Sequence, residues 1–380
     1  MLSRRRVLHR LLTAGAALTV PSFAVPVLPS VSGRAVAAEP EADWPLLLSS
    51  ARGPDGKDYA VGWHPEGGIL WRQPLPARAH GPALSPDGRV AAFPGRRPGS
   101  TVLLVDPEDG RRLALWQAPE DRSFQGHAAF TADGRLLYTT EVRADASAAD
   151  GETGVLGVWD VASGHRLGEV STHGIEPHEI RRMADGVTLV VANGGILTSP
   201  ETRRVKLNLG AMDTSLVYLD SRDGRLLEQV RPPESLQRVS LRHLAETPDG
   251  AMLVAGQYQG NPADAVPLLA RHRRGEALSW VPVPGETVAA LKQYCGSIGA
   301  LADGRFVVTS PPGGLALHGQ ADGSGETRQI ARPDVCGLAV DGARVLLTTG
   351  FGEVLTLSPQ GQVDLLARET VQWDNHALFA

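Results

Sequence analysis

Five of the eleven histidines and both cysteines of this 380-residue chain recur at one point of a repeating pattern. His80, His127, His178 and His243 each precede an Asp-Gly pair by six or seven residues; Cys295 and Cys336 hold the same place in the next two repeats, and His376 falls there near the C-terminus. Imidazole and thiolate are the donors that borderline and soft transition metals prefer, so seven such side chains brought to one locus could bind iron, copper or zinc. A second reading makes the histidines structural, each hydrogen-bonded within its own repeat and copied by duplication. Spacing alone leaves both open. For the cysteines, a disulfide, metal ligation and free buried thiols are the alternatives, and an oxidising compartment favours the disulfide.

Arg96, Arg97, Arg203 and Arg242, with Glu179, are the candidate contacts for a cofactor or anionic ligand, since a guanidinium grips carboxylate or phosphate with two parallel hydrogen bonds. The same arginines could instead form rim ion pairs with Glu176, Glu179, Glu246 or Asp374. His178-Glu179 resembles half of a zinc-protease motif, but the run His-Glu-Ile-Arg-Arg lacks the second histidine. No nucleophile elbow, phosphate loop, haem-attachment motif or calcium loop occurs. Catalytic residues are therefore not assigned, and the case for an enzyme is weak.

The elements that must position these groups are legible from their punctuation. Asp-Gly recurs at residues 87, 133, 185, 249, 303 and 341, separated by 46, 52, 64, 54 and 38 residues and flanked by short apolar runs. Asp-Gly between such runs signals a tight hairpin. A second turn, Asp-x-x-x-Gly, follows at Asp106 to Gly110, Asp160 to Gly164 and Asp220 to Gly224. Units of about fifty residues with four strands each predict a β-propeller.

Six Asp-Gly anchors give six repeats, but the chain ends add a seventh. Asn375-His376-Ala377-Leu378-Phe379 repeats the first-strand pattern of Gly126-His127-Ala128-Ala129-Phe130, then the chain stops, while three strands between Trp44 and Leu75 lack a first strand. The expectation is an all-β, seven-bladed propeller over residues 38–380, closed by the C-terminal strand joining the N-terminal blade. First strands line a propeller's channel and run in one direction, so the histidines and cysteines should meet at one channel mouth. The extra length between Asn193 and Asp213, carrying Arg203, Arg204 and Lys206, is expected as a long second-to-third-strand loop on that face.

Residues 1–37 read as a twin-arginine export signal: Ser3-Arg4-Arg5-Arg6, an apolar segment broken by Pro21, Pro26 and Pro29, and a small-residue end at Ala35-Val36-Ala37. The broken segment makes a poor permanent span, so a periplasmic protein without a stable membrane helix is expected. This export route carries folded proteins, often with a cofactor inserted. Without the leader the net charge is −10, which argues against nucleic acid and anionic lipid as partners.

The leader, His80-Gly81-Pro82, Arg96-Arg97-Pro98-Gly99, Gly174-Ile175-Glu176-Pro177-His178-Glu179, Asn193-Gly194-Gly195-Ile196, Lys206-Leu207-Asn208-Leu209, Arg242-His243-Leu244, Cys336-Gly337 and Trp373-Asp374-Asn375-His376 together resemble the exported bacterial family known as domain of unknown function 1513. The resemblance spans nearly the whole mature chain. It implies a seven-bladed YVTN- or WD-like propeller in the cell envelope, and a role in iron acquisition beside imelysin-like proteins. It supplies no catalytic residues. Three functions follow as expectations: a propeller binding a metal ion or metal complex at its channel mouth, a docking platform for envelope partners, or a propeller hydrolase or oxidoreductase.

Overall fold

The computed structural model describes residues 44–143, 153–198 and 205–380. The expected leader lies outside these residues, as do Arg203 and Arg204. Seven four-stranded antiparallel sheets form the chain, each taking its strands consecutively except the first. In that blade, Gln372–Phe379 pairs with Leu47–Arg52, which continues to Asp58–His64 and Gly68–Pro74. The ring is thus closed by the C-terminal strand, as the repeat pattern requires.

Both turn types form where the sequence places them. The glycines of the Asp-Gly turns hold φ between 59° and 84°, and those of the three Asp-x-x-x-Gly turns hold φ of 72°, 72° and 73°. A side chain at these angles is strained, which is why glycine closes every one of them. Among the described residues, two helical pieces interrupt the strands: a 3-10 turn, Glu234–Leu236, and one short helix, Gly285–Ala290, leading into the sixth blade. The fold is therefore mostly β rather than wholly so.

Seven buried apolar clusters hold the ring together, one in each interface between neighbouring blades. Strand alternation produces them: Phe306 and Val308 face the fifth blade while Val307, between them, faces the seventh. Trp116 and Trp159 stack across the second and third blades with ring centres 5.1 Å apart. The inner strands, Gln372–Phe379, Ala83–Leu84, Arg122–Phe130, Pro177–Arg182, Val239–Glu246, Ser297–Ala300 and Val335–Asp341, surround the channel.

Candidate metal centre

On the inner strands the histidines coincide with breaks in register. Pairing shifts between Phe124 and Ala128, between Pro177 and Ile180, between Leu241 and His243, and opposite Ser49 and Ala51 where Asp374, Asn375 and His376 intervene. A bulge leaves residues out of the ladder and re-aims their side chains. Here it leaves His127, His178 and His376 out of their ladders, while beside His243, which stays paired with Ala255, the skipped residue is Arg242. His80 arrives differently, from the segment just before the short strand Ala83–Leu84, where its N–H donates to the Pro94 carbonyl at 3.1 Å.

The five rings meet in the channel. Ring centres lie 4.5 Å apart for His80 and His376, 4.8 Å for His127 and His376, 4.8 Å for His243 and His376, and 5.0 Å for His178 and His243. Three groups have ligand atoms within 4.8 Å of one another: His80, His127 and His376; His127, His178 and His243; and Glu179, His243 and His376. His127, His243 and His376 each belong to two of these groups. These histidines contact one another between blades, not within them, and groups of this kind could hold a metal ion.

All five rings are buried, with exposures from 1 to 8 %. The rings are buried within the channel, and His127 and His376 line a cavity beside them. Burial is the main cause holding every one of them below the ordinary histidine range, His376 to about 3. The cluster is therefore neutral and its lone pairs are free of protons. The Nε2 atoms of His127, His178, His243 and His376 are buried without a hydrogen-bond partner. A buried polar atom left unpaired costs about 1–3 kcal/mol, so several gathered at one point ask for a ligand.

Carboxylates fix two of the rings from behind. His80 Nδ1 lies 3.1 Å from Asp374 Oδ1, and His243 Nδ1 lies 3.3 Å from Glu179 Oε2. Each ring donates Nδ1–H to its carboxylate and so keeps Nε2 as an acceptor, the arrangement usual behind metal-bound histidine. His376 Nδ1 sits 3.3 Å from Ser297 Oγ. Arg78 pairs with Asp374, and Arg181 Nε donates to Glu179 Oε1 at 3.0 Å. Burial alone would push Glu179 up, but the His243 hydrogen bond and the Arg181 charge outweigh it and keep the carboxylate ionised. Toward the Asp-Gly side, a cavity of about 290 Å³ touches the cluster at His127, Glu179 and His376.

The arginines on the other side form ion pairs. Arg242, 2 % exposed, donates from Nη1 and Nη2 to Glu176 at 3.1 and 3.0 Å, and Arg97 pairs with the same carboxylate. Burial lowers Arg242 to about 10, leaving it charged. Arg96 adds positive charge that helps to lower His80 and His243. Glu176 itself adopts φ of 56°, a left-handed position, to reach both partners. Arg203 lies outside the described residues.

The cysteines do not join the histidines. Both thiols are free and buried, Cys295 in the apolar cluster between the fifth and sixth blades and Cys336 in that between the seventh and first. The expected disulfide is thus corrected: an intervening blade interface separates the two. No potential metal-binding group among the described residues contains a cysteine. The physical reason is register. The Ser297–Ala300 strand pairs without a shift, so nothing turns Cys295 inward; Cys336 is left out of its ladder by a bulge as His178 is, but its thiol lies against the Thr348 and Trp373 carbonyls. Burial pushes both thiols up, Cys295 to about 12. Sequence reading missed Ser297 and the role of Asp374; the latter's place two residues before His376 was its signal.

Fold and site together define a seven-bladed propeller whose channel holds a buried cluster of five histidines with carboxylates behind it. The chain belongs to the family described as "Protein of unknown function (DUF1513)", whose model matches residues 73–380. No curated protein matches it. Among solved structures it is similar to hydrazine synthase of Kuenenia stuttgartiensis, at 14 % identity and a TM-score of 0.57, over 89 % of this chain and 99 % of that one. At that identity the likeness shows the fold alone.

Proposed function

We propose that this is an exported periplasmic propeller that holds one transition metal ion, iron, copper or zinc, in its channel, and that it serves iron acquisition with envelope partners of the imelysin-like kind. His80, His127 and His376, whose ligand atoms lie within 4.8 Å of one another, hold the ion, and His243 stands beside them. The observation that carries the metal reading is the group of buried, partnerless Nε2 atoms of His127, His178, His243 and His376, on four different blades. Imidazole donors suit these three ions, and neutral rings need no proton to leave before binding. Glu179 and Asp374 orient their histidines from behind. The twin-arginine pattern of the leader supports export of a protein already folded around its metal.

Protein isolated from its own periplasm is the material for the test, with metals measured by mass spectrometry. One ion per chain is expected, and none in a variant with His127, His243 and His376 all changed to alanine. A wild-type protein free of metal, or a variant with the same content, refutes the site. Retention of the protein in the cytoplasm when Arg4, Arg5 and Arg6 are replaced by lysine is the result expected of the export reading; unchanged export refutes it.

A further inference from the structure

His178 differs from the other four histidines. Its Nδ1 lies 3.2 Å from Arg242 Nη1. A guanidinium only donates, so this nitrogen accepts, and the single N–H of a neutral imidazole must then sit on Nε2. The ring cannot simply turn over, because Arg242 is itself gripped by Glu176 through two hydrogen bonds and is 2 % exposed. Gly194 packs against the same pair: a Cβ there would stand 2.9 Å from Glu176 Oε2 and 3.0 Å from Arg242 Cζ.

The consequence is an N–H in the wrong place for a ligand. His178 stands 5.1 Å from His127 and 5.0 Å from His243 between ring centres, and its Nε2 is buried without an acceptor. His80 and His243, by contrast, have Nδ1 bound to carboxylates and Nε2 left as a lone pair. Neutral imidazoles carry none of a divalent ion's charge, and the carboxylates behind them are already paired with Arg78 and Arg181, so a small anion is the natural further occupant. Resting on the metal centre proposed above, we infer that His178 is not a metal ligand but the hydrogen-bond donor to a small monoanion, of the hydroxide or azide class, bound at the metal.

The test uses the full mature protein reconstituted with one equivalent of copper(II) and titrated with azide, followed by the azide-to-copper charge-transfer absorption. His178→Leu is expected to hold one copper per chain yet bind azide about tenfold or more weakly, because a hydrogen bond to a charged acceptor is lost. His178→Gln, whose amide both accepts from Arg242 and donates, is expected to stay within about threefold of wild type. Unchanged azide affinity in His178→Leu overturns the inference and leaves the metal centre standing; loss of its copper overturns it too, by making His178 a ligand. Wild-type protein that takes up no copper overturns both readings. If His178→Leu does not fold, nitrogen NMR of histidine-labelled, zinc-loaded wild-type protein decides: a proton on His178 Nε2 supports the inference, and a bare or zinc-bound Nε2 overturns it.

Discussion

Trp373 is the residue through which the last strand of the chain secures the first blade, and replacing it tests ring closure directly. Its side chain is 4 % exposed and packs in the cluster that joins the first and seventh blades, with Leu47, Tyr59, Val61 and Trp63 on one side and Leu346 and Val354 on the other. Trp373→Ala removes the whole indole from a closed interface and is expected to cost about 3–5 kcal/mol. At a urea slope near 3 kcal/mol per molar, that moves the unfolding midpoint down by about 1–1.7 M. The indole Nε1 is buried without an acceptor. Trp373→Phe therefore loses volume but also removes an unpaired donor that costs about 1–3 kcal/mol, so its net change is expected within about 1.5 kcal/mol. Circular dichroism against urea measures both. A Trp373→Ala loss below about 1 kcal/mol refutes the reasoning, because it would mean that the terminal strand does not carry the blade. Deleting residues 372–380 also strips the pairing with Leu47–Arg52, and a loss beyond that of the indole approaches the whole stability of a domain, about 5–15 kcal/mol. The deletion is expected not to fold cooperatively.

Glu176→Gln leaves the buried Arg242 charge without its counter-ion and is expected to destabilise by about 3 kcal/mol or more, with most of the loss recovered by adding Arg242→Met; urea unfolding of the single and double variants checks this. Asp374→Asn loosens the ring of His80 and is expected to weaken metal affinity about 10- to 100-fold with the fold intact, read by competition with a chromophoric chelator; unchanged affinity counts against His80 as a ligand. Burial would raise Glu169, but hydrogen bonds from Arg166, Arg143 and Arg122 hold it down to about 2. A carboxylate depressed in the folded state contributes stability that is present above its ordinary value of 4.5 and lost as pH falls toward 2. The stability gap between wild type and Glu169→Gln should accordingly be constant near neutrality and close between pH 4.5 and 2 in acid-unfolding curves.

Local chemistry explains what could be read ahead of the structure. Asp87-Gly88 and its five counterparts are turns because only glycine tolerates the φ they need, and this holds whatever surrounds them. Blade count and closure then followed from where those turns stop and from the likeness of the last strand to that of the third blade. The gathering of His80, His127, His178, His243 and His376 followed in turn from their common position, since inner strands of a propeller share one axis. Cys295 and Cys336 share that position and yet lie elsewhere. Position along a strand gives the height in the channel, but the direction of the side chain depends on register and on partners from other strands: Cys295 precedes a strand that pairs without a shift, and the Cys336 thiol lies against the Thr348 and Trp373 carbonyls.

The sequence by itself thus determined the turns, the number of blades, the closing strand and the set of side chains available to the channel, because each rests on backbone conformations that neighbouring residues dictate. Tertiary structure alone decided which of those side chains meet and in what protonation form. Arg242 reaches His178 and Glu176 from the next blade, 64 and 66 residues along the chain, and so places the His178 proton on Nε2. Asp374 reaches His80 across 294 residues and frees the corresponding nitrogen there. Two histidines alike in sequence position become a donor and an acceptor because hydrogen bonding inside a low-dielectric interior is set by whatever group is brought into contact, and contact is a property of the closed ring.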